Sequence, residues 1–361
     1  MTNALSENHC PREVFRYQAS HAAMATEFTL VAYGRDATYL AEVGNEVFQE
    51  IDRLEARLSK FNPASEISTI NRAAGKGPVQ VGPELFQLLS ESLQYSVSTE
   101  GSFDITAGPL LRAWGFFRGQ GSLPSCSQIA MALRRVGYRH LHLRSDRTIH
   151  FEVDGLELDL GAIGKGYAVD RAVDILRRYG IASALVSSGT SSLYALGAPP
   201  GEQAWQINLR NPVHNDAAAE TLQLRDRALS TSGNYEKFFY SGKKKYTHIL
   251  DPTTGRQVKN MLAATVVAET ACTADALSTA FFVMGVPRTR KYLKPHSGLK
   301  AIFYLPENRK AAFRRVVLES SFKSKGTSGN ERVSRIHSAS GKAIADLSAT
   351  RTSHFAEPVT I

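Results

Sequence analysis

The run Thr273-Ala274-Asp275-Ala276-Leu277-Ser278-Thr279 constrains the fold more than any other stretch, because it sets one carboxylate in apolar company. Ala274, Ala276, Leu277, Ala280, Phe281, Phe282 and Val283 surround Asp275 in an alanine-rich segment that reads as a helix. A carboxylate held there needs a partner, and a metal ion, a lysine or a hydrogen-bond network would each serve. Asp275 and Thr279 are four apart, so on a helix their oxygens share one face. Hard oxygen ligands of that kind suit Mg²⁺; the bland alternative is a solvated helix face.

Upstream lies Thr247-His248-Ile249-Leu250-Asp251-Pro252-Thr253-Thr254-Gly255. Asp-Pro-Thr-Thr-Gly reads as a tight turn that would fix His248 in place. Histidine is the side chain whose unperturbed pKa lies nearest neutrality, so His248 is a candidate proton-transfer group, or else a structural hydrogen-bonding residue.

A second informative segment reads as a strand at Leu156–Leu160, a glycine-rich turn at Gly161-Ala162-Ile163-Gly164-Lys165-Gly166, and a helix from Tyr167 to Tyr179 closed by Gly180. Free backbone N–H groups at such a helix start can seat a phosphate, with Lys165 adding a point charge. The spacing is neither a Walker motif nor GxGxxG, so a purely structural glycine turn is equally compatible. Ser188-Gly189-Thr190-Ser191-Ser192 and Ala228-Leu229-Ser230-Thr231-Ser232-Gly233 read as two further small-residue turns. Three of them favour a nucleotide-like ligand over a small acid, unless they merely punctuate hairpins.

The remaining chain alternates extended and helical patterns, which predicts a mixed α/β (α+β) architecture. Glu27–Tyr33 reads as a strand, Tyr39–Leu58 and Pro83–Ser98 as helices, and Leu141–Val153 as paired strands turning at Asp146-Arg147. The formal charge is +9, but 10 basic against 5 acidic residues lie from Pro306 onward, so the rest is only mildly basic and no nucleic-acid partner is indicated. Cys10, Cys126 and Cys272 are too scattered for a disulfide framework. Neither a signal peptide nor a membrane span is evident, which gives a cytoplasmic expectation for the chain as written. Residues 1–19 read as a polar leader, 20–305 as the main domain, and 306–361 as a basic extension whose composition at Lys323–Ser353 predicts flexible stretches.

Taken together, Met24-Ala25-Thr26, Leu58-Ser59-Lys60-Phe61-Asn62-Pro63 with Ser65-Glu66-Ile67-Ser68, Gly101-Ser102-Phe103-Asp104-Ile105-Thr106-Ala107-Gly108-Pro109-Leu110, Asp159-Leu160-Gly161 through Asp170, Thr231-Ser232-Gly233-Asn234-Tyr235-Glu236, and the His248 and Asp275 blocks resemble the ApbE family of FAD:protein FMN transferases. The resemblance runs in the family's order from about Ser20 to Gly285. It implies a compact α/β fold with antiparallel sheets and flanking helices. It also implies Mg²⁺-dependent cleavage of FAD, release of AMP, and attachment of FMN to a Thr or Ser hydroxyl of an acceptor flavoprotein. On that resemblance Asp275, Thr279 and the Gly164 carbonyl match metal ligands, and His248 matches the proton-transfer position. Met24, Phe61, Asp104, Lys165, Glu236 and Ile249 match the FAD pocket. Considered alone, Phe61 reads more simply as core packing.

Three departures stand out. Ser187-Ser188-Gly189-Thr190-Ser191 replaces the family's usual Asn followed by Gly-Gly-Asp, removing an expected carboxylate. Ala25 stands for the usual Gly, and Asn234 for the usual Asp before Tyr235-Glu236. Two other activities suit the same residues: hydrolysis of FAD to FMN and AMP, and simple FAD binding without chemistry.

Overall fold

The computed structural model describes residues 13–118, 121–214, 217–307, 312–320, 332–336 and 359–360. Among these, nine strands form one sheet in the order Phe15–Ala23, Thr26–Gly34, Ser183–Ser188, Ser192–Leu196, Arg227–Gly233, Ala263–Ala268, Lys300–Pro306, Phe313–Glu319 and Arg332–Ile336. Every neighbouring pair is antiparallel. Seven α-helices accompany it: α1 Ala37–Leu58, α2 Glu66–Ala73, α3 Pro83–Ser98, α4 Gly108–Ala113, α5 Cys126–Leu133, α6 Gly164–Arg178 and α7 Ala271–Leu293. The expected α+β fold, antiparallel sheets flanked by helices, is the one adopted.

Both faces of the sheet are covered. Phe28, Leu30 and Ala32 join the helical core, whereas Val31 turns to the other side and packs with Trp205, Ile207 and Leu209. Those last three belong to a three-stranded sheet of Trp205–Arg210, Ala218–Leu224 and Val359–Thr360. Double coverage explains why Ala263–Ala268 is buried at all six positions and shows no polar alternation.

Helix α1 starts where Asp36 accepts the Tyr39 N–H at 3.0 Å, and it buries Leu40, Val43, Val47, Phe48, Ile51 and Leu54 at helical spacing. Helix α7 buries Leu277, Phe281 and Phe282, each contributing about 1.5–3 kcal/mol. Gly285, at φ 67° and ψ 178° just before Pro287, kinks α7 well past Asp275 and Thr279.

Several expectations need correction. Leu156–Leu160 is not a strand beyond one bridge between Glu157 and Ala107. Asn71 takes the place of a neighbouring strand there, its side chain bonding both the N–H and the C=O of Leu158 at 2.7 and 3.0 Å. Ala228–Gly233 is not a turn but a central strand, with Ala228 through Gly233 all buried. Its small side chains fit because α7 crosses closely over it. The helix expected from Tyr167 begins at Gly164. Residues read as leader and as extension also enter the sheet, since one edge strand starts at Phe15 and Phe313–Glu319 pairs with Lys300–Pro306. Cys10 and nearly all of Lys323–Ser353 lie outside the described residues. Among the described residues, no helix is long and apolar enough to cross a membrane.

Candidate functional site

One cavity of about 310 Å³ gathers every site residue singled out from the sequence: Met24, Phe61, Asp104, Gly164, Lys165, Glu236, His248, Ile249, Asp275 and Thr279. The two-residue hairpin Met24-Ala25, the α6 and α7 starts, and the loops around Phe61, Asp104, Glu236 and His248 form its walls.

The α6/α7 wall is set by close backbone approach. A Cβ on Gly166 would lie 2.2 Å from the Ala271 carbonyl oxygen, so this glycine serves helix packing and not turn freedom. Across the contact the Gly166 N–H donates to Asp275 Oδ2 at 2.9 Å, and the Ser230 hydroxyl donates to Oδ1 at 3.3 Å. Asp275 is only 3% exposed, so a hydrogen-bond network is its partner within the protein. Ser232 extends that network to Ser278 at 2.9 Å and to Thr279 at 3.0 Å. Asp170 of α6 in turn accepts the Ala271 and Cys272 N–H groups at 2.7 and 2.8 Å, capping α7; burial raises its carboxyl to about 7.

The amide cradle expected for phosphate is mostly absent. Gly161 N–H donates to Asp159 Oδ1 at 2.8 Å, Ile163 and Gly164 N–H to the Leu160 carbonyl, and Gly166 N–H to Asp275. What the cavity wall offers an anion is instead side-chain charge, chiefly Lys165 and Lys237. Desolvation and the nearby Lys165 charge lower the Lys237 pKa.

Elsewhere on the cavity lining, some polar groups have no partner among the described residues. Glu236 Oε1 is buried and makes no hydrogen bond. Desolvation raises its pKa, against the Lys165 charge, and the Asp275 charge raises it further. His248 is half-buried, and its Nδ1 lies 3.1 Å from the Lys237 carbonyl, which can only accept. Nδ1 therefore carries the proton. Desolvation lowers the His248 pKa to about 4, so at neutral pH Nε2 holds a free lone pair. The Asp251 turn fixes this loop as the sequence predicts, Asp251 Oδ1 accepting the Thr253 N–H at 2.9 Å.

The Phe61 side chain is 60% exposed and does not pack in the core. It sits at the cavity mouth, 5.1 Å from the Phe117 ring, with the Lys60 ammonium 5.1 Å from its centroid. Asp104 already accepts Thr106 N–H and Oγ1–H and the Tyr138 N–H, at 2.8, 2.7 and 2.8 Å. Burial raises its pKa, and a single acceptor position on Oδ2 remains. Met24 and Ala25 hold φ of 50° and 58°, a left-handed pair that glycine or asparagine normally fills.

Sequence reading missed Lys237 and the buried Lys60–Asp159 ion pair, all of which line the cavity. Lys60 and Lys237 adjoin Phe61 and Glu236, which were singled out, but no spacing rule links Lys60 to Asp159, 99 positions away. Among the described residues no cluster of three His, Cys, Asp or Glu side chains could hold a metal. The available set is one carboxylate, a hydroxyl and a carbonyl: Asp275, Thr279 and Gly164. These are hard oxygen donors, of the kind that would suit a Mg²⁺.

Comparison with known proteins places the chain in a family. The model of the ApbE family matches residues 24–303. The FAD:protein FMN transferase of Treponema pallidum is 31% identical over 288 residues, 75% of this chain and 79% of that protein. The ApbE protein of Thermotoga maritima superposes with a TM-score of 0.75 at 29% identity, covering 81% of this chain and 94% of that one. The flavin transferase ApbE of Vibrio cholerae also gives 0.75, at 25% identity, over 86% and 99% of the two chains. The cavity, its ordered blocks and these likenesses lead to one assignment: the chain belongs to the ApbE family.

Proposed function

We propose that this chain is a Mg²⁺-dependent FAD:protein FMN transferase, joining FMN to a Thr or Ser hydroxyl of an acceptor flavoprotein. The observation that carries the reading is His248, its Nδ1 tied to the Lys237 carbonyl and its Nε2 left free, in one cavity with two lysines and the Asp275–Thr279 oxygen pair. In the proposed step the acceptor oxygen forms a bond to the phosphorus of the FMN half. The pyrophosphate P–O bond breaks, and AMP departs with the bridging oxygen and its electron pair. His248 Nε2 takes the hydroxyl proton as that bond forms.

Phosphoryl transfer asks mainly for positioning and charge neutralisation. Lys165 and Lys237 offset charge on the phosphates and the leaving AMP. Asp275, Thr279 and Gly164 would hold Mg²⁺, which supplies further electrostatic stabilisation of the pyrophosphate when bound. Phe61 and Met24 present flat and adaptable apolar surface to a ring, and the open Oδ2 position of Asp104 suits an exocyclic amine.

Incubation with FAD, Mg²⁺ and a candidate acceptor, followed by mass spectrometry, tests the reading. An acceptor heavier by FMN, together with AMP, supports transfer. AMP with an unmodified acceptor supports hydrolysis, and persistent intact FAD supports a binding protein.

A further inference from the structure

Between the cavity residues Lys237 and His248 the chain leaves the body as a hairpin, Phe238–Ser241 paired with Lys244–Thr247. Its two strands form a sheet of their own. A lone hairpin is marginal in water, and among the described residues this one is fastened on one face. There Phe239 stacks on Tyr246 at 5.3 Å and meets Phe116 at 5.5 Å. Tyr246 leans on Trp114, whose indole N–H donates to the Gly255 carbonyl at 2.9 Å. Strand alternation turns Phe238 and Tyr240 to the opposite face, where they are 43% and 64% exposed. Their rings meet edge-on at 5.7 Å, with the Lys245 ammonium 4.0 Å over Phe238.

Two paired, exposed aromatic rings on an anchored element are an unusual surface for a chain with ample core. From Lys237 to Leu250 there are four lysines and no acidic residue. The hairpin's two roots are tied together at the cavity, the His248 N–H donating to the Lys237 carbonyl at 3.0 Å. The hairpin thus rises directly from two residues that line the cavity.

We infer that the Phe238/Tyr240 face, with the lysine tip at Lys243-Lys244, is the docking surface for an extended acidic segment of the acceptor protein. This rests on the transferase reading. Aromatic rings supply the apolar anchor, a strand edge that no described strand pairs with suits an added extended strand, and the lysines select acidic sequences and speed encounter. The same rings and charges would also meet an anionic lipid surface. The tie to the cavity favours the acceptor, because a reacting hydroxyl has to reach Nε2.

The test uses the full chain with FAD and Mg²⁺, and two synthetic peptides of equal length with one central threonine, flanked by Asp/Glu in one and by Lys/Arg in the other. Fluorescence anisotropy should show the acidic peptide binding at least about ten-fold tighter at low salt, with the gap closing as salt screens it. Two variants, Phe238→Ser with Tyr240→Ser and Lys243→Glu with Lys244→Glu, should each weaken that binding about ten-fold or more. FAD affinity by flavin fluorescence should stay within about two-fold of wild type, showing that the variants are folded. Equal affinity for both peptides, unchanged binding by the lysine variant, or binding to phosphatidylserine vesicles but to neither peptide would overturn the inference. If the acidic peptide docks through the hairpin yet never gains the mass of FMN, docking stands and the transferase reading falls. If both peptides are flavinylated equally by wild type and variants, transfer stands and the docking inference falls.

Discussion

The two walls of the cavity differ in how completely the protein satisfies its own polar groups. At the α6/α7 wall the buried oxygens nearest the cavity have protein partners: Asp275 with Gly166 and Ser230, Thr279 with Ser232, and Asp170 behind them with the α7 amides. At the loop-built wall Glu236 Oε1 is orphaned, and His248 makes one bond while its other nitrogen is left free. Satisfied groups hold a geometry, whereas unsatisfied ones are kept at a cost in stability for something that is not protein. The contrast suits a rigid seat for a cation beside a reactive wall for substrate.

Breaking the satisfied wall should have the largest effect. Asp275→Ala should reduce turnover by about 10³-fold or more and also lower stability by about 1–3 kcal/mol, because the Gly166 N–H is left buried and unpaired. Asp275→Asn keeps an acceptor and should recover much of the melting temperature without recovering turnover. Equal recovery of both would reduce Asp275 to a structural role.

On the reactive wall, His248→Ala should slow transfer by about 10²–10⁴-fold while FAD affinity changes far less, as steady-state rates and direct binding would show. A pH series sharpens the point. Burial holds the folded-state pKa of His248 at about 4, below the 6.5 of free imidazole. The stability that neutral His248 contributes is therefore fully present above pH 6.5 and is lost as pH falls toward 4, since the unfolded chain takes up a proton that the folded site refuses. Wild type should lose stability across that window more steeply than His248→Ala in thermal melts. Parallel curves would remove the buried-histidine account.

Glu236→Gln should move the two properties in opposite directions. Relieving a buried, unbonded carboxylate raises stability by about 1 kcal/mol, while loss of its charge beside Lys165 reduces turnover. A gain in neither would mean that the orphaned oxygen carries no strain. The smallest effect belongs to the hairpin tip, where Ala25→Gly places the permissive residue at φ 58° and should stabilise by about 1 kcal/mol in denaturant melts with little change in activity.

The sequence picked out residues that share the cavity better than it read the elements that carry them. Asp275, Thr279 and His248 were legible because a carboxylate in an apolar run and a histidine before an Asp-Pro turn each break the local pattern. Ala228–Gly233 was not legible as a strand, because Ala, Ser and Thr are chosen there for the small volume that α7 allows and thereby imitate a turn. The phosphate cradle failed for a related reason. Glycine spacing looks the same whether it frees amides for a ligand or lets two helices touch, and here Gly166 does the latter. Lys60 and Asp159 meet only through the fold, so neither announces the other.

Residue chemistry, order and family membership were thus settled by the chain itself, since they depend on which side chains occur and in what succession. The tertiary structure decided which amides remain free, which imidazole nitrogen keeps its proton, and which faces of the aromatic hairpin meet water. Those properties depend on partners brought from distant parts of the chain, and a hydrogen bond or a buried charge is defined only once both partners have a place.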